Sequence, residues 1–204
     1  MTEQRRRTVG ILIFDDVEVL DFCGPFEVFA TTVTPGDTDR ESHRPFNVYT
    51  IAQGSGIIHC RGDLLVQPHF TIRDHPSLDI LLVPGGQGTR RERTNQVLLD
   101  WITDQDQHTE LTTSVCTGAF LLAATGLLNG KQATTHWGSI DWLREHYPEI
   151  DVRNDKRFID QGRIVTSAGV SAGIDMALHI VSRLCGPEIA SATARNMQYH
   201  WEGD

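Results

Sequence analysis

Apolar residues along this chain fall into two patterns. Short, nearly continuous runs form the first: Val9 to Phe14 (VGILIF), Phe46 to Ala52, and Ile80 to Val83 (ILLV). Continuous runs of this length predict strands buried on both faces. Leu111 to Val115 (LTTSV) is a weaker strand, carried by Thr and Val, with Ser114 near its end. In the second pattern, apolar positions recur every three or four residues, which predicts helices. Val97 to Gln107 places Val97, Leu98, Trp101 and Ile102 on one face. Ile140 to Tyr147 does so with Ile140, Leu143 and Tyr147, and Ile174 to Leu184 with Ile174, Leu178, Val181 and Leu184. Gly186-Pro187 stops that helix, and Glu188 to Tyr199 starts another.

Strands alternating with helices predict an α/β fold with a mostly parallel sheet covered on both faces. Gly54 to Pro68 departs from the alternation. Its β-like pieces Ile57-Ile58 and Leu64 to Val66 flank Arg61-Gly62-Asp63, which predicts a hairpin. A second hairpin is expected over Asp151 to Thr166, turning near Gln161-Gly162. Thr31 to Arg44 reads as a polar loop. With no repeat or low-complexity linker, residues 1–204 read as a single domain.

Composition narrows the function. The 204 residues are 39% apolar and 22% charged, with a formal net charge of -9. An acidic balance argues against sequence-independent nucleic-acid binding, which draws on clustered Lys and Arg. Arg5-Arg6-Arg7 reads as a solvated tail, because the apolar segment after it runs straight into Asp15-Asp16 and does not resemble a secretory leader. The longest membrane candidate, Ala119 to Leu128, is far too short to span a bilayer. Cys23, Cys60, Cys116 and Cys185 form no C-x-x-C pair, so free thiols in a reducing, cytoplasmic setting are expected.

In an open parallel sheet, ligands bind at the carboxyl ends of the strands. Five loops are expected on that rim: Asp15 to Pro25, Pro84-Gly85-Gly86, Cys116-Thr117-Gly118, Thr135-His136-Trp137 and Gly169 to Gly173. Cys116 follows a strand and precedes a helix start, like a nucleophile elbow without the G-x-S-x-G pattern. A helix N-terminus is expected to lower its pKa, although a lone cysteine is more often a core residue. Gly86 and Thr117 could offer amides to developing negative charge. Asp21, taken alone, reads as a first-turn or capping carboxylate, and Asp175 as a structural one. No metal-ligand spacing such as H-E-x-x-H occurs, so no metal is expected.

Together, LDFCGP, VPGG, TSVCTGAFLLAATGLLNGKQATTHW and SAGVSAGIDMAL resemble the ThiJ/PfpI superfamily of the class I glutamine amidotransferase-like fold. The resemblance runs from about Val9 to Leu184. It implies a flavodoxin-like three-layer sandwich, usually a homodimer, with no cofactor and a small-molecule substrate. It makes Cys116 the nucleophile, Asp21 its acidic partner, and the Gly86 and Thr117 amides the oxyanion hole. Within the superfamily the segments are most similar to those of isonitrile hydratases. That implies water addition to an isonitrile through a thioimidate on Cys116, giving an N-substituted formamide. Relatives read as proteases often carry His after the cysteine; Thr117 stands there, so peptide hydrolysis loses support. His136, Thr135, Val170, Phe22 and Trp137 are candidate pocket residues. Two alternatives stay open. One is a glyoxalase or deglycase acting on 2-oxoaldehydes. The other is a ligand or redox sensor like the sensing half of AraC-type regulators, although no helix-turn-helix module is expected after Asp204.

Overall fold

The structure, a computed structural model, describes residues 5–34 and 43–203. It opens with β1 (Arg7–Leu12), α1 (Val19–Thr31), β2 (Phe46–Ala52), β3 (Ile58–His59), β4 (Leu65–Val66), β5 (Phe70–Thr71) and β6 (Ile80–Val83). Next come α2 (Thr89–Glu92), α3 (Gln96–His108), β7 (Leu111–Val115), α4 (Ala119–Ala124), β8 (Gln132–Ala133) and α5 (Ile140–His146). The last third holds β9 (Asp151–Val152), β10 (Phe158–Asp160), β11 (Ile164–Ser167), α6 (Ala172–Cys185) and α7 (Pro187–Asn196). Residues 35–42 of the expected loop from Thr31 to Arg44 lie outside the described residues.

Among the described residues, the main sheet has seven strands in the order β10-β11-β7-β6-β1-β2-β5. All its pairs are parallel except β10 with β11. One row of paired residues crosses five strands: Thr50, Ile11, Leu82, Thr113 and Val165. The central strands are buried because helices cover both faces. α1, α6 and α7 pack together in one layer, and α2 and α3 pack with α4 in another. The result is the expected three-layer α/β sandwich. From β1 the chain first moves outward to β2, then returns to β6 and proceeds the other way to β7 and β11. The strand order therefore reverses between β1 and β6, where a crevice opens at the strands' carboxyl ends.

Two expectations need correction. The hairpin over Asp151 to Thr166 is shorter than expected: only β10 and β11 pair antiparallel. β9 instead pairs in parallel with β8 in a separate two-stranded sheet, with α5 as the crossover between them. The basic run is not a solvated tail throughout. Arg7 starts β1 and pairs with Glu110 at 2.7 Å, and Arg5 pairs with Asp79. The β3–β4 hairpin forms as expected, around a 3₁₀ turn at Arg61–Asp63. Among the described residues, no helix is long and apolar enough to cross a membrane.

Candidate active site

Cys116 begins a 3₁₀ turn, Cys116–Gly118, between the end of β7 and the start of α4. Its φ is +56°, a left-handed conformation that costs a non-glycine residue about 1–3 kcal/mol. The surrounding backbone holds it there. The Cys116 amide donates to the Ala168 carbonyl at 3.2 Å, and the Thr135 hydroxyl donates to the Cys116 carbonyl at 2.7 Å. Gly118 lets the turn close against β6, since a Cβ there would come 2.0 Å from the Val83 carbonyl oxygen.

Asp21 reaches this sulfur from the first turn of α1 and is fully buried. Pro25 lies inside that helix and cannot donate to the Asp21 carbonyl four residues back. The carboxylate is anchored at Oδ2, which accepts the Gly85 amide at 3.0 Å. Gly85 packs against the pair so closely that a Cβ would lie 2.6 Å from the Thr117 nitrogen and 2.8 Å from the Cys116 Cβ. The Val170 amide also favours the charged form of the Asp21 carboxyl. Val170, a β-branched residue, has a φ of +54°. Oδ1 of Asp21 has no partner of conventional hydrogen-bond geometry.

The electrostatics reverse one expectation. Burial pushes the Asp21 carboxyl up to about 7, against the pull of the Gly85 amide and of Cys116. Burial also pushes the Cys116 thiol up, to about 12, and the neighbouring Asp21 charge adds to the rise. The Thr117 amide and hydroxyl pull the thiol down, but they do not win. The thiol is therefore not acidified, contrary to the helix-terminus argument. α4 spans only Ala119–Ala124 and begins beyond the 3₁₀ turn, so its dipole is small beside the cost of burying a thiolate. Sulfur and carboxylate behave as one coupled pair that holds a proton near neutral pH.

The Gly86 and Thr117 amides are not equivalent. The Thr117 amide favours the thiolate form of Cys116. Gly86 N–H donates to the Thr117 hydroxyl at 3.0 Å, and the buried Thr89 hydroxyl lies 3.1 Å from that same oxygen. A cavity of ≈ 260 Å³ opens beside the pair, lined by Glu18, Arg61, Gly86, Gln87, Arg90, Cys116, Thr117, His136, Trp137, Gly138, Ser139 and Val170. Of the five candidate pocket residues, His136, Trp137 and Val170 line this cavity. Phe22 and Thr135 do not. Phe22 is buried in the apolar core, and Thr135 lies behind the elbow, holding its carbonyl. The His136 ring caps its own turn, with Nδ1 accepting the Gly138 amide at 3.2 Å.

Sequence reasoning missed Gly85 as the Asp21 anchor, as well as Glu18, Arg61, Thr89 and Arg90. The first could have been sought in the same Pro84-Gly85-Gly86 motif. The others carry no local signal: Arg61 meets Glu18 across 43 residues of chain. All four cysteines are free thiols. Asp175 is paired, with Arg157 and with the Tyr199 hydroxyl. Among the described residues, no group of three or more His, Cys, Asp or Glu could hold a metal ion.

An α/β sandwich in which a cysteine on a strand-to-turn elbow meets a buried carboxylate from α1 is the architecture implied by the motifs. Residues 7–183 match the DJ-1/PfpI family, and the chain belongs to it. It is 34% identical over 192 residues to isonitrile hydratase of Pseudomonas putida, covering 94% of this chain and 78% of that enzyme. It is 38% identical over 112 residues to a helix-turn-helix transcriptional regulator of Pseudomonas aeruginosa, covering 55% of this chain but only 33% of the regulator. The crystal structure of a ThiJ/PfpI family protein from Pseudomonas syringae superimposes with a TM-score of 0.84 at 26% identity, covering 97% of this chain and 76% of that one.

Proposed function

We propose that this cavity adds water to an isonitrile and releases an N-substituted formamide. The observation that carries the reading is the buried Cys116–Asp21 pair, which holds a transferable proton near neutral pH. The similarity to isonitrile hydratase supports it. In the first step the Cys116 sulfur attacks the terminal isonitrile carbon while Asp21 takes the thiol proton. Asp21 returns that proton to the same carbon, giving the thioimidate R–N=CH–S–Cys116. Water then adds to this carbon with Asp21 as general base, and the imine nitrogen is protonated. Collapse breaks the carbon–sulfur bond, releases R–NH–CHO and restores the thiol. The balance is one isonitrile plus one water to one formamide.

The state of Gly86 favours this substrate over a 2-oxoaldehyde. Attack on a carbonyl develops an oxyanion, which needs free donors. Here the Gly86 amide already donates to the Thr117 hydroxyl. An isonitrile has no oxygen when sulfur attacks, so the occupied amide is no loss. The likeness to a regulator keeps a ligand-sensing function as the second reading. Formamide production from an aryl isonitrile tests the proposal, with wild type and Cys116→Ala compared and methylglyoxal run in parallel. Formamide from wild type alone supports it. Methylglyoxal consumption without formamide moves the protein to the oxoaldehyde class, and silence on both favours a sensor.

The proposal includes a homodimer and a small-molecule substrate. Ile57, Leu64 and Leu65 are exposed on the β3–β4 hairpin and offer an apolar surface for self-association. Sedimentation at micromolar concentration tests the dimer.

A further inference from the structure

We propose that the substrate of this cavity carries an anionic group, a carboxylate in particular, and that Arg90 receives it. The inference names a substrate class for the site and rests on the reading that Cys116 is its reactive atom.

Three charged side chains line the cavity: Glu18, Arg61 and Arg90. Two of them cancel, because Arg61 Nη1 lies 2.5 Å from Glu18 Oε2. Arg90 has no carboxylate partner among the described residues, so the cavity keeps one unneutralised cation. That cation, on an exposed side chain, is tethered to the cavity wall at two points. Its Nη1 donates to the Gly86 carbonyl at 3.3 Å, and its Cζ lies 5.9 Å from the centre of the Phe120 ring. Gly86 also donates from its amide to the Thr117 hydroxyl at 3.0 Å, so the same residue links Arg90 to the elbow.

A guanidinium fixed along one edge presents its remaining N–H groups as a planar fork, which matches a carboxylate. The setting sharpens the preference. The chain carries a formal net charge of -9. Its general field therefore disfavours anions, and an exposed cation on the wall of the reaction cavity is a local exception. Exposed Trp137 on the rim supplies an apolar wall for the part of the substrate between the carboxylate and the isonitrile.

The test uses two probe pairs. Iodoacetate and iodoacetamide share one warhead and differ in charge, and alkylation of Cys116 by each is followed by mass of the Cys116 peptide. 4-Isocyanobenzoate and its methyl ester form the turnover pair. Wild type is compared with Arg90→Gln, Arg90→Lys and the remote surface control Arg73→Gln. The iodoacetate-to-iodoacetamide rate ratio should fall about three- to ten-fold in Arg90→Gln, the scale of one partly screened ion pair. It should be largely kept in Arg90→Lys and unchanged in Arg73→Gln. Any general loss of reactivity or folding cancels in the ratio. The preference for the carboxylate isonitrile over the ester should fall by a similar factor, chiefly through KM. An alkylation ratio that ignores Arg90→Gln overturns the proposal, even where both isonitriles are turned over. A ratio that responds while neither isonitrile reacts leaves the anion subsite standing and removes the isonitrile reading.

Discussion

The amide of Gly85 donates to the carboxylate of Asp21 at 3.0 Å across 64 residues of chain. That bond joins the loop after β6 to the helix after β1 at the point where the strand order reverses. It holds Oδ2 and leaves Oδ1 buried without a conventional partner. The proton economy of the candidate site follows from this arrangement.

The reacting form of the pair carries one proton. Below about pH 7 Asp21 is protonated as well as the thiol, and the pair holds two. The account predicts that kcat/KM for an isonitrile rises with pH through about 7 and then levels, because the thiol titrates only near 12. Initial rates from pH 5 to 9 check this. A profile flat across 7 would contradict it.

A carboxyl whose pKa is raised by folding destabilises the fold as pH rises. Asp21 goes from an ordinary 3.8 to about 7, so the penalty accrues between those values and is complete above 7. Its upper scale is about 4 kcal/mol. Asp21→Asn keeps an acceptor for the Gly85 amide and carries no charge. Its stability relative to wild type should therefore improve from pH 4 to 7 and hold steady above. Urea denaturation across that range measures the difference, and a pH-independent gap would count against a buried, titrating Asp21.

Gly85→Ala should damage both fold and site. The new methyl would press on the Thr117 nitrogen and on the Cys116 Cβ at under 3 Å. Overpacking of this kind costs about 1–3 kcal/mol, and the elbow has to move to relieve it. We expect a lower Tm and at least a ten-fold loss of kcat, since small displacements of reacting groups are costly. Retained activity at a lowered Tm would show that the elbow tolerates the shift.

Thr117→Ala removes the hydroxyl that occupies the Gly86 amide. One freed donor toward a developing oxyanion is worth up to about 10²–10³ in kcat. The ratio of methylglyoxal to isonitrile turnover should rise about ten-fold or more in this variant. An unchanged ratio would mean that the Gly86 amide does not discriminate between the two substrate classes.

Legibility in the sequence followed the range of the forces involved. β2, β6 and β7 have the expected bounds: β6 because burial on both faces writes itself into consecutive apolar residues, β2 and β7 because β-branched and aromatic residues mark them even where polar residues interrupt the run. α5 and α6 came within two residues for the same reason at helical spacing. β8 and β9 were not legible as a pair, since strands of two residues carry no period. At the site, the turn at Cys116 was visible from a strand followed by Gly118, and its pairing with Asp21 came from motif resemblance. The direction of the thiol's pKa was misjudged. The helix-terminus argument is local, whereas the burial and the Asp21 charge come from elements distant in sequence, α1 among them. Arg90 was missed because nothing near it in sequence says that its neighbour Arg61 is neutralised by Glu18.

The central claim is a covalent thioimidate on Cys116. The most direct measurement is the mass of the Cys116 peptide after rapid acid quench of enzyme mixed with excess aryl isonitrile. The account predicts an adduct equal to one isonitrile, present in wild type during turnover and absent from Cys116→Ala, which makes no formamide. Formamide produced at the wild-type rate by Cys116→Ala, with no adduct on the wild-type peptide, would contradict it.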